Sequence, residues 1–355
     1  MGGLPDAVGP WGKTCPPRVP TDRGGHNIAE VATKKLTKCE LLRLLQTAAI
    51  CIAIGLPTGA SAQTLPSGID AVPRLTGPSF LSIVAEEPQE ESPLAHPPWW
   101  SVSDWSKERK LVALNAATVG AIAAIGFIGW DYGSHSFRTA NEGWFDPDTR
   151  YGGADKLGHV FTCYALASVY NRIYQDWGYA DNDAILLGAA SSWLTMSVIE
   201  IGDGFSKSQG YSWQDEVMNT VGAAMAYLRH RFPEVRERVD FRWEWFPSPA
   251  ARSGERFDIL TDYSGQKFLL AFKMDGWLRT GSPVLKALEL QVGYYTRGYV
   301  SGDDDYFNGR HRYGYVGLGL NVTYLMERLT GHRAWGIFDY YQMPYTYLPT
   351  RWECD

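Results

Sequence analysis

The chain has 355 residues and a formal net charge of −6. That length holds one large domain or two ordinary ones, and the charge lacks the basic excess of a nucleic-acid binder. Aromatic residues make up 14%, with 14 Trp and 20 Tyr; these side chains are favoured where an apolar region meets water, as at a membrane interface.

The first segment has the order of an export signal. Lys34, Lys35 and Lys38 precede an apolar stretch from Leu41 to Leu56, and Ala60-Ser61-Ala62 before Gln63 has the small-x-small form of a cleavage site. Residues 1–62 therefore read as a leader and signal peptide, with a first membrane anchor as the alternative for the same apolar run. Residues 1–33 precede the basic part and read as unstructured, as they would if the true start codon lay later. Cleavage removes Cys15, Cys39 and Cys51 and leaves Cys163 and Cys354, too few and too far apart for a disulfide framework. Cys51 follows Ile50, where a lipid-attachment signal wants a small residue, so lipidation is not expected.

Residues 63–104, with "EEPQEESPLAHPPWW", read as a disordered linker. Residues 105–232 carry four helical patterns, over about 105–130, 155–177, 183–201 and 213–231, the last stopped by Pro233. The first contains "LVALNAATVGAIAAIGFIGW", about the length of a membrane span. Residues 233–355 change to strand-and-turn character after Pro249. Leu288, Leu290, Val292 and Tyr294 alternate with Glu289, Gln291, Tyr295 and Arg297, and Val316, Leu318, Leu320 and Val322 repeat the pattern. About five strands fit between Arg256 and Tyr347, whereas a barrel filled by its own side chains wants about eight. The expected fold is α+β: an apolar four-helix bundle followed by an open antiparallel sheet packed on the helices, which cover its apolar face.

Helices joined by short loops run antiparallel, so the second and fourth helices start at one end of the bundle and the third finishes there. That end gathers Asp155 and His159, Glu200 and Asp203, and Asp215 and Asn219, with Lys156 at the edge and Ser212 just before the fourth helix. Residues four apart, as 155/159 and 215/219, share a helix face. The opposite end collects Lys107, Arg109, Lys110, Arg172, Arg229 and Arg231. After signal cleavage this basic end would be periplasmic in a spanning bundle, against the positive-inside rule. A bundle buried in protein or lying at a membrane surface is therefore favoured over a spanning one.

Each polar residue also has a plain structural role open to it. Asp155 could cap its helix after Gly152-Gly153, and Ser212 with Asp215 resembles a capping box. His159 could be a hydrogen-bonded core histidine, Lys156 could pair with Glu200, and Asn219 could bond to backbone. Glu200 is the hardest to dismiss: a carboxylate at the negative end of an apolar helix needs a partner. As chemistry, His159 with Glu200 or Asp203 suits acid/base work, and His159, Glu200, Asp203 and Asp215 are candidate ligands for a divalent metal. No nucleophile elbow, phosphate loop, zinc-spaced Cys/His set or dinucleotide motif is present.

The segments "DKLGHVFTCYALASVY", "SVIEIGDGFSKSQGYSWQDEVMNTVGAAMA" and "DYSGQKFLLAF" resemble the YfiM-like family of predicted periplasmic lipoproteins, from about Asp155 to near the C-terminus and most closely its longer members. The matching positions are Asp155, Lys156 and His159; Glu200, Asp203, Gly204, Phe205 and Ser206; Ser212, Asp215 and Asn219. A lesser likeness to VanZ-like membrane proteins covers only the second to fourth helices. The resemblance implies an exported bacterial envelope protein, periplasmic or associated with the outer membrane, and supplies no activity. Two functions follow: a structural or binding role with membrane lipid or an envelope protein as partner, or a metal-assisted hydrolase of an envelope lipid or glycan using the His/carboxylate cluster. No nucleic-acid partner is expected.

Overall fold

The computed structural model describes residues 102 and 104–354, apart from 254–258, 301–302 and 334. The leader, the signal segment and nearly all of the linker lie outside the described residues. Four long helices come first: α1 (Lys107–Gly129), α2 (Ala154–Asp176), α3 (Asp181–Gly204) and α4 (Trp213–Arg231), each within a few residues of its sequence periodicity. Ser106 caps α1 by accepting from Arg109 N, and Ser212 caps α4 by accepting from Asp215 N. Pro233 favours extended backbone at Phe232, and α4 stops there. α2 packs against both α3 and α4, and α1 lies along α3. Close approach rests on glycine: a Cβ at Gly222 would collide with the carbonyl oxygen of Val160, and one at Gly188 with backbone atoms of Ala167 and Asn171.

Two short parallel strands, β1 (Thr139–Ala140) and β2 (Tyr211–Ser212), tie the loop after α1 to the start of α4. The main sheet follows as β3 (Val239–Trp245), β4 (Gln266–Lys273), β5 (Leu288–Arg297), β6 (His311–Leu320) and β7 (Tyr347–Glu353), antiparallel and in sequential order. It begins ahead of Pro249 and ends beyond Tyr347. In "VDFRWEW" three charged residues, Asp240, Arg242 and Glu244, alternate with apolar ones, which hides a buried strand behind a polar composition.

The pairing register places Phe241, Leu270, Val292 and Val316 side by side on one face. The other face carries Asp240, Arg242, Glu244, Glu289 and Gln291, all buried. In strand order the sheet is open, with β3 and β7 at its edges, but the β3 edge is covered. Residues 340–342 run along the free edge of β3, with Trp243 N donating to Tyr340 O at 2.9 Å and Gln342 N donating to Trp243 O at 2.9 Å. The chain that leads into β7 at one edge thus covers the other edge, and the sheet curls around a polar interior. Small inward residues make this possible with five strands: side chains at Gly293 and Gly319 would occupy the space of the Tyr315 ring and the Gln291 amide.

That interior is held by ions. Arg242 makes a bidentate pair with Glu289, both bonds 2.7 Å, and bonds Asp240 at 2.7 Å. Lys273 reaches Asp240 at 2.9 Å. Arg229 of α4 pairs with Asp240 as well, and with Asp339 at 3.0 Å, so one network joins the bundle to the sheet.

The helices cover only part of the apolar face. Phe241, Trp243, Phe268 and Leu270 of β3 and β4 pack against Val160, Phe161 and Tyr164 of α2 and Ala226 of α4. Leu290, Val292, Val316, Leu318, Leu320 and Leu348 on the other three strands are exposed. The expectation of full cover fails because α2 and α4 both pack mainly over β3 and β4, the side to which Arg229 of α4 is tied through Asp240. At the basic end, short helices α5 (Pro233–Arg238), α6 (Met274–Leu278), α7 (Pro283–Ala287) and α8 (Val322–Thr330) pack on one another in a layer.

Gly222→Ala should lower stability by about 1–3 kcal/mol through overpacking, although Ala is the better helix former by about 1 kcal/mol. Gly120→Ala on α1, where a Cβ meets nothing within 4 Å, should leave stability unchanged or raise it. Denaturation midpoints of the two variants check this; equal effects would contradict it.

Candidate functional site

α2 and α4 begin, and α3 ends, at one end of the bundle. The β1–β2 pairing draws the loop before α2 across this end, so Glu142, two residues after β1, arrives above the helix starts. Lys156 stands inside the resulting cage. Its Nζ lies 2.6 Å from Glu142 Oε2, 2.8 Å from Asp155 Oδ2 and 2.8 Å from Asp215 Oδ1, and its side chain is 1% exposed. Lys156 is thus central, where helix geometry alone put it at the edge, because the loop carboxylate closes the side that the helices leave open. It donates to Glu142 and Asp155 and forms an ion pair with Asp215, rather than pairing with Glu200. Burial opposes the ammonium charge, but Asp155, Asp215 and Glu142 overcome it and hold the lysine well above its usual range.

Asp155 is not a cap. The residue before α2 is Gly153, at φ 84°, with no side-chain cap bond, and Asp155 turns to Lys156. The capping box is half made: Ser212 Oγ accepts from Asp215 N at 3.3 Å, while Ser212 N donates to Glu200 Oε2 at 3.3 Å. That bond answers part of Glu200's need for a partner and frees the Asp215 carboxylate for Lys156.

His159 occupies the other side of the site. Asn219 Nδ2 donates to Glu216 Oε2 at 3.4 Å, leaving Asn219 Oδ1 to accept from His159 Nδ1 at 3.1 Å. This partner keeps a proton on Nδ1 and turns Nε2 into the site. Nε2 faces Glu200 Oε1 at 3.5 Å and Asp215 Oδ1 at 3.9 Å. The ring is 19% exposed, so the site opens to its surroundings here. Asp203 flanks Glu200 and bonds the Tyr132 hydroxyl.

Carboxylates exceed cations in this site. Glu142, Asp155, Glu200, Asp203 and Asp215 face only Lys156 and His159, and protons make up part of the difference. Burial, then the charges of Asp215 and Asp203, pushes Glu200 up to about 10. Burial pushes Asp203 up to about 7 against the pull of His159, and Asp215 up to about 6 against His159 and Lys156. Burial also acts on Glu142, but its hydrogen bond with Asp215 and the Lys156 charge outweigh it and hold that carboxyl low. The protonated Glu200 carboxyl facing the His159 ring, with further acids nearby, is a set that can hold and move a proton. Among the described residues two groups also have the spacing to hold a cation: His159, Glu200 and Asp215, and Glu142, Asp155 and Asp215, with ligand atoms within 4.8 Å of one another. Asp203 belongs to neither group. The second already encloses the lysine ammonium.

Glu142, Tyr132 and Glu216 escape a reading of helix faces. Glu142 and Tyr132 lie in a loop with no periodicity, and only the β1–β2 pairing brings Glu142 in. Glu216, whose Oε1 accepts from Ser197 Oγ at 2.6 Å, is one position off the 215/219 face.

Residues 141–231 match the model of a family described as predicted periplasmic lipoprotein (DUF2279). The matched segment contains every polar residue of the site except Tyr132. The description is consistent with an exported protein, periplasmic or associated with the outer membrane, and it carries neither the YfiM nor the VanZ name. No curated protein and no solved structure matches the chain.

The raised carboxyls set the direction of pH dependence. The folded state holds protons that the unfolded chain releases near pH 4, so their contribution to stability is greatest at acid pH and is lost as pH climbs through about 6 to 10. Tm should therefore fall between about pH 5.5 and pH 9, each raised carboxyl giving up at most about 1.4 kcal/mol of stability for every pH step of one, and Glu200→Gln should flatten the alkaline part. Lys156→Met should cost about 3–5 kcal/mol near pH 8 and less near pH 5. A wild-type Tm that rises with pH over this window would contradict the protonation scheme.

Proposed function

We propose that this chain is an envelope protein that works in contact with membrane lipid, with a binding or structural role, and that the Lys156 cage braces its bundle. The observation that carries this reading is the exposure of α1. It is long and apolar enough to cross a membrane, with mean hydropathy 2.1 over its best window, and 11% of that window is buried. α3 passes the same length and composition test, with mean hydropathy 1.6, but is 56% buried, as a core helix of the bundle would be. Water does not tolerate so large an apolar helix face without a partner. The outer sheet face supports the same reading, because its apolar residues point out while the charges point in, the alternation of a lipid-facing sheet.

The excess of carboxylates favours a second reading, a hydrolase of an envelope lipid or glycan. His159, Glu200 and Asp215 would then hold a divalent cation, and Asp203 beside them would exchange a proton with substrate. In that case purified protein would contain a stoichiometric metal by elemental analysis, and Glu200→Gln would remove it without lowering Tm.

Membrane fractions test the first reading. The protein should stay in the pellet through high salt and alkaline carbonate. Val112→Asp with Phe127→Asp, both at exposed positions of α1, should shift it toward the supernatant, since each apolar side chain contributes about 1.5–3 kcal/mol when removed from water. A wild-type chain that is monodisperse in buffer without detergent would overturn the reading.

A further inference from the structure

We infer that the basic end of the molecule is a docking surface for the anionic headgroup layer of a bilayer, an inference that rests on the lipid-contact reading and adds to it which end meets the headgroups and what lipid class they belong to. The surface is built from α5, α6, α7 and α8. Each of these short helices exposes apolar side chains beside cations: Val235 with Arg236, Trp277 and Leu278 with Arg279, Val284 with Lys286, and Leu329 with Arg328. Such mixing of apolar, Trp and Lys/Arg side chains on short helices suits the boundary between acyl chains and headgroups. The layer holds together internally: the Trp277 indole donates to Arg238 O at 3.3 Å and lies under the Arg238 guanidinium at 5.4 Å.

Charge decides the kind of partner. Exposed Arg231, Arg236, Arg279, Lys286, Arg328 and Arg333 stand against exposed Glu234 and Glu237. The cations with buried partners, Arg229 and Lys273, are occupied by Asp240 and Asp339 and are left out of this balance. α1 begins at the same end, where exposed Lys107 and Arg109 stand beside exposed Glu108, Asp176, Asp181 and Asp183, so the cationic excess belongs to the short-helix layer; Lys107 lies over the Tyr179 ring and Arg109 over the Trp105 ring, at 4.7 and 4.1 Å. The apolar length of α1 starts from this charged and aromatic level. A cavity of about 580 Å³ between the short helices is lined by Glu234, Glu237 and Asp275 together with Lys273, Arg279 and Lys286, so its charges balance and the cationic excess lies on the exposed helix surfaces around it. The opposite end of the bundle exposes Asp131, Asp146 and Asp148 beside Arg138, Arg150 and Lys207, a balanced surface without such a cationic excess. Phosphatidylglycerol-type lipid fits this chemistry.

The test is flotation of the full-length protein, released from detergent, with vesicles of phosphatidylcholine alone and with vesicles containing phosphatidylglycerol. The wild type should float with both and bind the anionic vesicles on the order of tenfold more, a gain that high salt removes. Arg236→Glu with Lys286→Glu and Arg328→Glu should float with phosphatidylcholine as the wild type does but lose the anionic gain. Lys207→Glu with Arg150→Glu at the acidic end should keep it. An equal gain in the triple variant, or no gain in the wild type, overturns the inference. Binding to anionic vesicles with none to phosphatidylcholine supports the basic surface and refutes the apolar contact instead. Salt-sensitive self-association without vesicle binding makes a second copy the partner and overturns the inference.

Discussion

Buried charge has to be paired within the chain, and in this protein that requirement decides where the apolar side chains go. Asp240 is fully buried and surrounded by Arg229, Arg242 and Lys273. Leaving any of these ions unpaired costs several kcal/mol, so α4, β3 and β4 are fixed relative to one another by the geometry of one carboxylate. Once the inward positions of β3 and β5 are taken by Asp, Arg, Glu and Gln, strand alternation sends Phe, Leu and Val to the outside. α2 and α4 bury the part they can reach. The rest of the apolar face, like most of α1, is left exposed, and the proposed lipid contact would cover both.

The acidic end obeys the same requirement with a different remainder. Lys156 pairs three acids at once, and His159 lies within reach of two more contacts, yet carboxylates remain in excess. Protons held by Glu200 and Asp203 lower the charge without adding a cation. A cluster of this kind is costly to build if it serves packing alone, because an apolar bundle end of equal volume is often as stable.

The helices were legible because their periodicity and stops are local. Antiparallel packing then places Asp155, His159, Glu200, Asp203, Asp215 and Asn219 at one end, and the structure brings them together there. Glu142 was not legible: its position depends on two-residue strands 72 residues apart in sequence (Thr139 with Tyr211), which no local pattern marks. The central place of Lys156 follows from Glu142 and was lost with it. β3 was hidden because its buried face is charged, and burial is normally read from apolar side chains. The curl of the sheet depends on residues 340–342, a segment with no strand pattern of its own. Alternation on β5 and β6 told which residues share a face except for Val322, which lies beyond β6 as the buried first residue of α8 where Asn321 caps the helix; the side that meets the protein interior is set by ion pairing across three strands.

The lipid-facing assignment of the outer sheet surface is tested most directly by the surroundings of Leu318. A nitroxide attached at Leu318→Cys, in a chain with Cys354 replaced by Ser and reconstituted into bilayers, reports relaxation by oxygen, which concentrates in acyl chains, and by a water-soluble nickel complex. Lys207→Cys at the acidic end serves as the water-exposed reference. The account predicts oxygen access well above nickel access at 318 and the reverse at 207. Nickel access at 318 matching that at 207 would contradict it.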